Sequence, residues 1–317
     1  MAYTTTGSVS YDTAAYDLYA RFALRPELYY DSWVDVKPTN LTHRGSSVTF
    51  WQQSDMAVAT TPLTEDVDVT PVAIGNTSVT LTPLEYGNAT VTTARLDATS
   101  MLEMDPIVAN VIGYNAGVSI DTIAQTAFAA AGTVRYAAGT GTAASSRATV
   151  VAANTLRAVD LRRAYADLSA ANVMTWNGYY TAIIHPNTAF DLKSETGEAG
   201  WRAPHVYSDP GNIYNGEIGA FEGFRVIVTP RAPEFVNAGA TSTVEVYRSM
   251  FMGREAIAKA HFAGGGYGAD PVVVKGEVTD ILRRFTPVGW RHSVAYGGFR
   301  TEAMRAVESS SSIAVNV

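Results

Sequence analysis

Residues Asp105 to Gly132 read DPIVANVIGYNAGVSIDTIAQTAFAAAG, and their spacing is that of one long helix. Asp105 suits an N-cap, Pro106 the first helical position, and Gly132 a left-handed terminator. Between them Val108, Ile112, Ala116, Ile120, Ile123, Ala127 and Ala131 recur at steps of three and four, which lays an apolar stripe along one face. At 1.5 Å per residue such a helix is a rod of about 39 Å, a spine around which the rest of the chain is read. Asn110, Asn115 and Asp121 interrupt its apolar character and argue against a membrane span, while Gly113, Gly117 and Ser119 are places where it can bend.

The chain of 317 residues, 47% hydrophobic and 17% charged, is long enough for two or more cores and is not disordered. Without cysteine it has no disulfide, thiolate metal site or cysteine nucleophile. MAYTTTGSVSYD shows no basic region followed by an apolar run, so synthesis in the cytoplasm without a signal peptide is expected. A net charge of -7 argues against binding nucleic acid by counterion release, which needs clustered cations. The cations are 19 Arg against four Lys (Lys37, Lys193, Lys259, Lys275), a bias that fits either contacts between subunits or genome composition.

Ahead of the spine, residues 1–15 read as an arm ordered only when something holds it. A short amphipathic segment, Tyr16 to Leu24, leads to Tyr29, Tyr30 and Trp33, an aromatic group that is either a contact surface or core. From Ser47 the texture becomes strand: SVTFW, a polar run from Gln52 to Thr61, then PLTEDVDVTPVAIGNTSVTLTPLEYGNATVT. Thr/Val alternation with Pro and Gly punctuation predicts a long β-hairpin with a wide, extended connection. A projecting two-stranded arm is marginal in water, so it is expected to lie on a neighbour. Glu65, Asp66 and Asp68 lack the spacing of a calcium loop and read as a solvated acidic turn.

Beyond the spine, AAGTGTAASSRATV is a small-residue linker. NTLRAVDLRRAYADLSAAN predicts a helix capped by Asn154, with Ala158, Leu161, Tyr165 and Leu168 inward and Asp160, Arg163 and Asp167 paired outside. YYTAIIHP predicts a strand, Pro186 starts a turn or short helix, and an irregular stretch with Trp201, Tyr207 and Tyr214 leads to a strand from Phe224 to Thr229. This middle third reads as an inserted α/β unit. The final third, TSTVEVYRSMFMG, REAIAKAHF, PVVVKGEV and the run from Asp280 to Ser309, predicts one antiparallel sheet packed on the spine, followed by a loose tail, Ser309 to Val317.

The five histidines (His43, His185, His205, His261, His292) are scattered and none has ligand spacing. His185 lacks a nucleophile elbow or a paired acid and reads as structural. Gly264, Gly266 and Ala269, like Gly139, Gly141 and Ala144, fit a dinucleotide fingerprint formally, but no helix starts inside either, and there is no phosphate-binding GxxxxGK[ST]. The sequence therefore assigns no catalytic, cofactor-binding or metal-binding residue.

Taken together, VTFW, PLTE (Pro62 to Glu65), YGNATVTTARLDATS (Tyr86 to Ser100), AIIHP (Ala182 to Pro186) followed by FDL, GW (Gly200, Trp201), GEIG (Gly216 to Gly219), GFRVI (Gly223 to Ile227), MGREA (Met252 to Ala256) and VGW (Val288 to Trp290) occur in an order that resembles the N-four-type coat family. These are major capsid proteins of tailed bacteriophages with the Hong Kong ninety-seven-type fold. The resemblance implies an α+β capsid fold: an N-terminal arm 1–45, an extended hairpin loop 46–82, a peripheral domain 83–139 and 244–317 holding the spine, and an axial domain 140–243. It implies self-assembly into pentamers and hexamers of an icosahedral shell enclosing double-stranded DNA without sequence-specific binding. Its implied partners are a portal protein and scaffolding and decoration proteins, with no membrane and no cofactor. Some relatives cross-link through Lys and Asn or lose the arm; with four Lys, neither is expected here. A tail or baseplate protein is the other self-assembling class, but it calls for repeats, which are absent.

Overall fold

A computed structural model of the chain describes residues 30–36, 47–99, 104–195, 220–262, 267–276, 280–282 and 284–313. In order, β1 (Asp35–Val36), β2 (Val48–Gln53), β3 (Asn76–Leu81), β4 (Leu84–Thr93) and a short α1 (Ala94–Thr99) lead into the spine, α2 (Met104–Ala130). There follow β5 (Thr133–Tyr136), α3 (Ala158–Ala170), β6 (Tyr180–Ile184), α4 (Pro186–Ser194), β7 (Ala220–Phe221) and β8 (Phe224–Val228). The chain ends through β9 (Glu234–Phe235), β10 (Val246–Met252), β11 (Ile257–His261), β12 (Val272–Lys275), β13 (Phe285–Gly298) and β14 (Met304–Ser309).

The spine is an unbroken helix of 27 residues. A Cβ at Gly113 would meet nothing within 4 Å, so that glycine neither serves packing nor bends the rod. Gly132, at φ 80°, supplies the left-handed terminator that the sequence called for. The buried positions are Ile112, Ala116, Ile120, Ala124 and Phe128, so the stripe departs from the expected Ile123 and Ala127 in the last two turns. Four residues overshoot a 3.6-residue turn, so this row winds around the helix as it rises. The winding is required because the spine serves two cores. Ile112 and Ala116 pack on Val288 and Trp290 of β13, whereas Ala124 and Phe128 join the large core that holds Tyr30, Met250 and Phe251. By length and composition the stretch Ile107–Ala130 could cross a membrane, but its apolar face is used for this packing and its polar residues are partnered. Trp290 Nε1 donates to Asn115 Oδ1 at 2.9 Å, and Asp121 is held as described below.

Among the described residues the strands form three sheets. In the five-stranded sheet β13 pairs antiparallel with β4, β11 and β12, and β1 adds in parallel to β11. The seven-stranded sheet runs β5-β14-β10-β6-β8-β7, with β9 also on β10. The third sheet is the β2–β3 pair alone.

Four expectations change here. The hairpin ends at Leu81, because β4 turns away to pair over ten residues with β13, from Leu84↔Val294 to Thr93↔Phe285. The final third divides between two sheets instead of forming one. All seven residues of β10 are buried, which suits a central strand covered on both faces, whereas β13 sets Val288 and Trp290 against the spine and Ala295 and Gly297, on the opposite face, against the β2–β3 pair. Asn154 is not the cap of α3; it is a buried bracket whose Nδ2 donates to the carbonyls of Ala138 and Thr142. Asp160 takes the capping role, accepting from Arg157 N at 3.2 Å, and keeps its expected ion pair with Arg163 at 3.8 Å, while Asp167 pairs with Arg135. Finally, Ser309, Ser310 and Ser311 are fully buried, not loose. Ser310 Oγ donates to Ala152 O and Ser311 Oγ to Asn187 O, each at 3.0 Å, and Ser312 N donates to Asp191.

Candidate functional site

Of the positions that sequence reading weighed for catalysis, His185 and Gly139 have structural work. His185 caps α4, with Nδ1 accepting from Asn187 N at 3.2 Å, and stacks on Tyr247 at 4.6 Å. Burial pushes its pKa down, favouring the neutral, accepting form. Gly139 lies at φ 55° in a turn where an added Cβ would sit 1.8 Å from Ala153 O, so backbone contact accounts for it. His43, His205, Gly264 and Gly266, like Trp201, Tyr207 and Tyr214, lie outside the described residues. Among the described residues, no cluster of three or more acidic or histidine side chains is placed to hold a metal ion. Glu65, Asp66 and Asp68 are all exposed. A groove of about 250 Å³ between β4 and the spine is lined by Ile107, Val108, Val111 and Trp290 and carries no ionisable group.

What stands out is an apolar surface on the hairpin connection. The root of the hairpin is fixed: Val48, Phe50 and Leu81 pack against Ala258, Ala260 and Phe299. Gly297 permits this approach, since a Cβ there would lie 2.5 Å from Leu81 Cδ2. The strands pair from Val48↔Leu81 to Gln53↔Asn76, and Ser54 N donates to Gly75 O at 3.0 Å. Beyond that closure every residue from 55 to 74 is exposed. The connection presents Met56, Val58, Leu63, Val67, Val69, Val72 and Ile74, Val58 at 84% exposure and Leu63 at 77%. Scattered apolar side chains on a surface are ordinary, but seven exposed ones on one extended segment mark an interaction surface.

Three carboxylates, Asp121 and Glu308 buried and Asp31 partly exposed, fix the body that carries this arm. Asp121 of the spine accepts from Tyr30 N at 2.8 Å and from Arg231 Nε at 2.7 Å; Tyr30 OH and Gln125 Nε2 both donate to Arg231 O. Asp31 accepts from Lys259 Nζ at 2.7 Å and from Tyr296 OH, whose pKa is driven up by burial and by the Asp31 charge. Glu308 accepts from Arg147 Nε at 3.0 Å and Nη2 at 2.7 Å, and from Arg248 Nε at 2.9 Å. Burial pushes Glu308 up, but its hydrogen bonds to Arg147 and Arg248 outweigh burial and hold it below the usual carboxylate range. Tyr30 and Trp33 are thus core, with Trp33 edge-on to Trp176 at 5.3 Å. None of these nodes was legible in sequence, because their partners lie up to 265 residues apart.

No curated protein matches the chain by sequence. Among solved structures it is similar to the capsid of Ralstonia phage GP4 (14% identity, TM-score 0.75, 98% of each chain). It is also similar to the capsid of cyanophage Pam1 (12%, 0.75, 98% of this chain and 99% of that one) and of cyanophage P-SCSP1u (12%, 0.72, 97% and 96%). At these identities the likeness establishes the fold, an α+β capsid fold of the Hong Kong ninety-seven type. A family model described as phage capsid protein matches residues 33–302. By that match over most of its length, the chain belongs to the phage capsid protein family, a structural component of the virion shell and not an enzyme.

Proposed function

We propose that the chain is the major capsid protein of a tailed double-stranded DNA phage and closes into an icosahedral shell of pentamers and hexamers. The observation that carries the reading is the 55–74 connection, an apolar surface on a fixed root that is exposed along its whole length among the described residues. Laid across the adjacent subunit, it buries those side chains, and burying apolar area at about 25 cal/mol per Å² makes each contact modest. Many such contacts around a closed symmetric shell hold together because all must break at once.

In this reading residues 1–45 are the arm, 46–82 the extended loop, 83–139 and 244–317 the peripheral domain and 140–243 the axial domain near the five-fold and six-fold axes. Strands β5, β10 and β14 complete the axial sheet, since they pair with β6 and with one another. The shell's other partners are a portal protein, through which DNA enters, and scaffolding and decoration proteins; synthesis takes place in the host cytoplasm. The net charge of -7 suits a wall that encloses DNA without gripping it.

Sedimentation and negative-stain microscopy of the purified, untagged protein test the proposal. Closed shells or five- and six-fold capsomers are the expected result; tubes point to a tail protein and overturn it.

A further inference from the structure

His292 occupies a place that packing alone does not explain. It lies on β13, 1% exposed, and neither ring nitrogen has a hydrogen-bond partner among the described residues. A buried polar group left unpaired costs stability, so its presence calls for a reason. Alternation along β13 puts Trp290, His292, Val294 and Tyr296 on one face, the face that Trp290 turns to the spine. Across the strands, Tyr86 of β4 is opposite His292, and His261 and Lys259 of β11 are opposite Val294 and Tyr296.

The charged and titratable groups around it come from every neighbouring element. β11 brings Lys259 and His261, β13 itself brings Tyr296, and β4 brings Tyr86. The segment Tyr30–Val36 brings Asp31, the loop before β12 brings Asp270, and the spine brings Asp121, already neutralised by Arg231. Lys259 Nζ is committed to both oxygens of Asp31, at 2.7 and 2.9 Å, and Tyr296 OH to one of them. The same corner holds the N-terminal segment by its backbone: Tyr30 N donates to Asp121, and Asp35 and Val36 pair in parallel with Ala258 and Lys259.

We propose that His292 is an acid latch: a proton taken up by its ring frees Asp31 and the β1 strand, Asp35–Val36, from β11 while Tyr30 and the seven-stranded sheet stay in the large core. The imidazolium is a second buried charge beside Lys259, next to His261, whose own pKa burial and Lys259 lower, and a buried charge without a partner draws water into the β13–spine contact. Asp31 and the β1 residues are held by Lys259, Tyr296 and two strand pairings, whereas Tyr30, buried on Phe128 with its N–H on Asp121, and Trp33, against Trp176, belong to the large core, so the Asp31 and β1 contacts are the first to open. Burial, then the charges of Lys259 and His261, hold the ring neutral down to about pH 4, so the latch is closed at neutral pH. Glu308, which secures the seven-stranded sheet, is held below the usual carboxylate range by Arg147 and Arg248.

Pulsed hydrogen exchange on the full-length protein, after incubation near neutral pH and at about pH 4.5, reads this directly. In the wild type, amides of β1 and of β11 should lose protection at the lower pH while those of Tyr30, β6, β10 and β14 keep it. In His292→Phe, which cannot be charged, β1 and β11 should stay protected, with the opening midpoint lower by about one pH unit; where His292→Phe does not fold at neutral pH, His292→Gln replaces it. Equal midpoints in wild type and variant, or loss of protection in both sheets together, overturn the proposal. Because the readout is local opening in the subunit, it is independent of whether shells form.

Discussion

Replacing Glu308 by alanine is the sharpest test of how the body is held. The carboxylate is fully buried and serves two guanidinium groups, Arg147 at 35% side-chain exposure and Arg248 at 9%. Removing it leaves Arg248 buried beside only the Ala129 carbonyl, to which its Nη1 still donates. Arg147 swings into solvent, losing its place over the Phe235 ring, 3.6 Å from the centroid. Breaking a buried pair from one side costs about 3–5 kcal/mol, and the partial escape of Arg147 places Glu308→Ala near the lower end, about 3 kcal/mol. In urea unfolding of the unassembled subunit this is a fall in midpoint with unchanged slope, and on heating a loss of roughly 6–12 °C. The double variant Glu308→Leu/Arg248→Met should recover much of it, since an apolar pair leaves no orphaned charge. The sign with pH also follows. A carboxylate whose folded pKa is depressed contributes stability above its unfolded value of about 4.3, and that contribution is lost as pH falls through the folded pKa. A Glu308→Ala variant within about 1 kcal/mol of wild type, or one with the wild-type acid limb, would refute the reasoning.

Two further outcomes follow from the extended loop. Replacing residues 55–74 by Asn-Gly closes the β2–β3 pair with a two-residue turn at the Ser54–Gly75 contact; circular dichroism and subunit stability should be unchanged while microscopy finds no shells, and normal shells would remove the loop from the assembly argument. Gly297→Val puts a side chain where Leu81 Cδ2 is 2.5 Å from the Cβ position, so the hairpin root lifts from the sheet; a loss of about 1–3 kcal/mol and raised proteolysis within 48–81 are expected, and wild-type resistance would contradict it.

The parts of this fold that were legible in the sequence are those encoded by local periodicity. The spine, its Gly132 terminator, the β2–β3 pair, β6 with Pro186 behind it, and β8 after the positive-φ turn at Glu222 and Gly223 all announce themselves within a dozen residues. What failed depended on distant partners. Nothing local in LEYGNATVTT says that it pairs with β13 almost 200 residues on, instead of with the hairpin next to it. The serines after β14 looked loose because composition cannot see Asn187 and Asp191, which hold them. In the last turns of the spine the choice of Phe128 over Ala127 is made by Tyr30, whose ring lies 5.6 Å from that of Phe128. The candidate surface was half legible: Thr/Val alternation marked a projecting arm, but only the exposure of Met56 through Ile74 identified its apolar face.

The three carboxylate nodes share a logic that packing area does not capture. Asp121 joins the spine to Tyr30 and Arg231, Asp31 joins the N-terminal segment to β11 and β13, and Glu308 joins β14 to β10 and to the loop at Arg147. Ionic pairs of this kind are no more stabilising than apolar ones of equal volume, because desolvation offsets most of the attraction. What they add is direction, since each hydrogen bond is satisfied in one geometry only. In a shell, an arm or loop that leaves its body at the wrong angle misses its neighbour, so direction matters more there than stability. The hypothesis is tested by Asp121→Leu/Arg231→Met, which substitutes apolar volume for the charged pair at the spine. Its unfolding free energy should fall by no more than about 1–3 kcal/mol, the cost of the Tyr30 N–H that Asp121 no longer accepts, while assembly yields aberrant or incomplete shells. A variant that unfolds like the wild type and also builds uniform closed shells would show that packing alone sets the angle and that the nodes are dispensable.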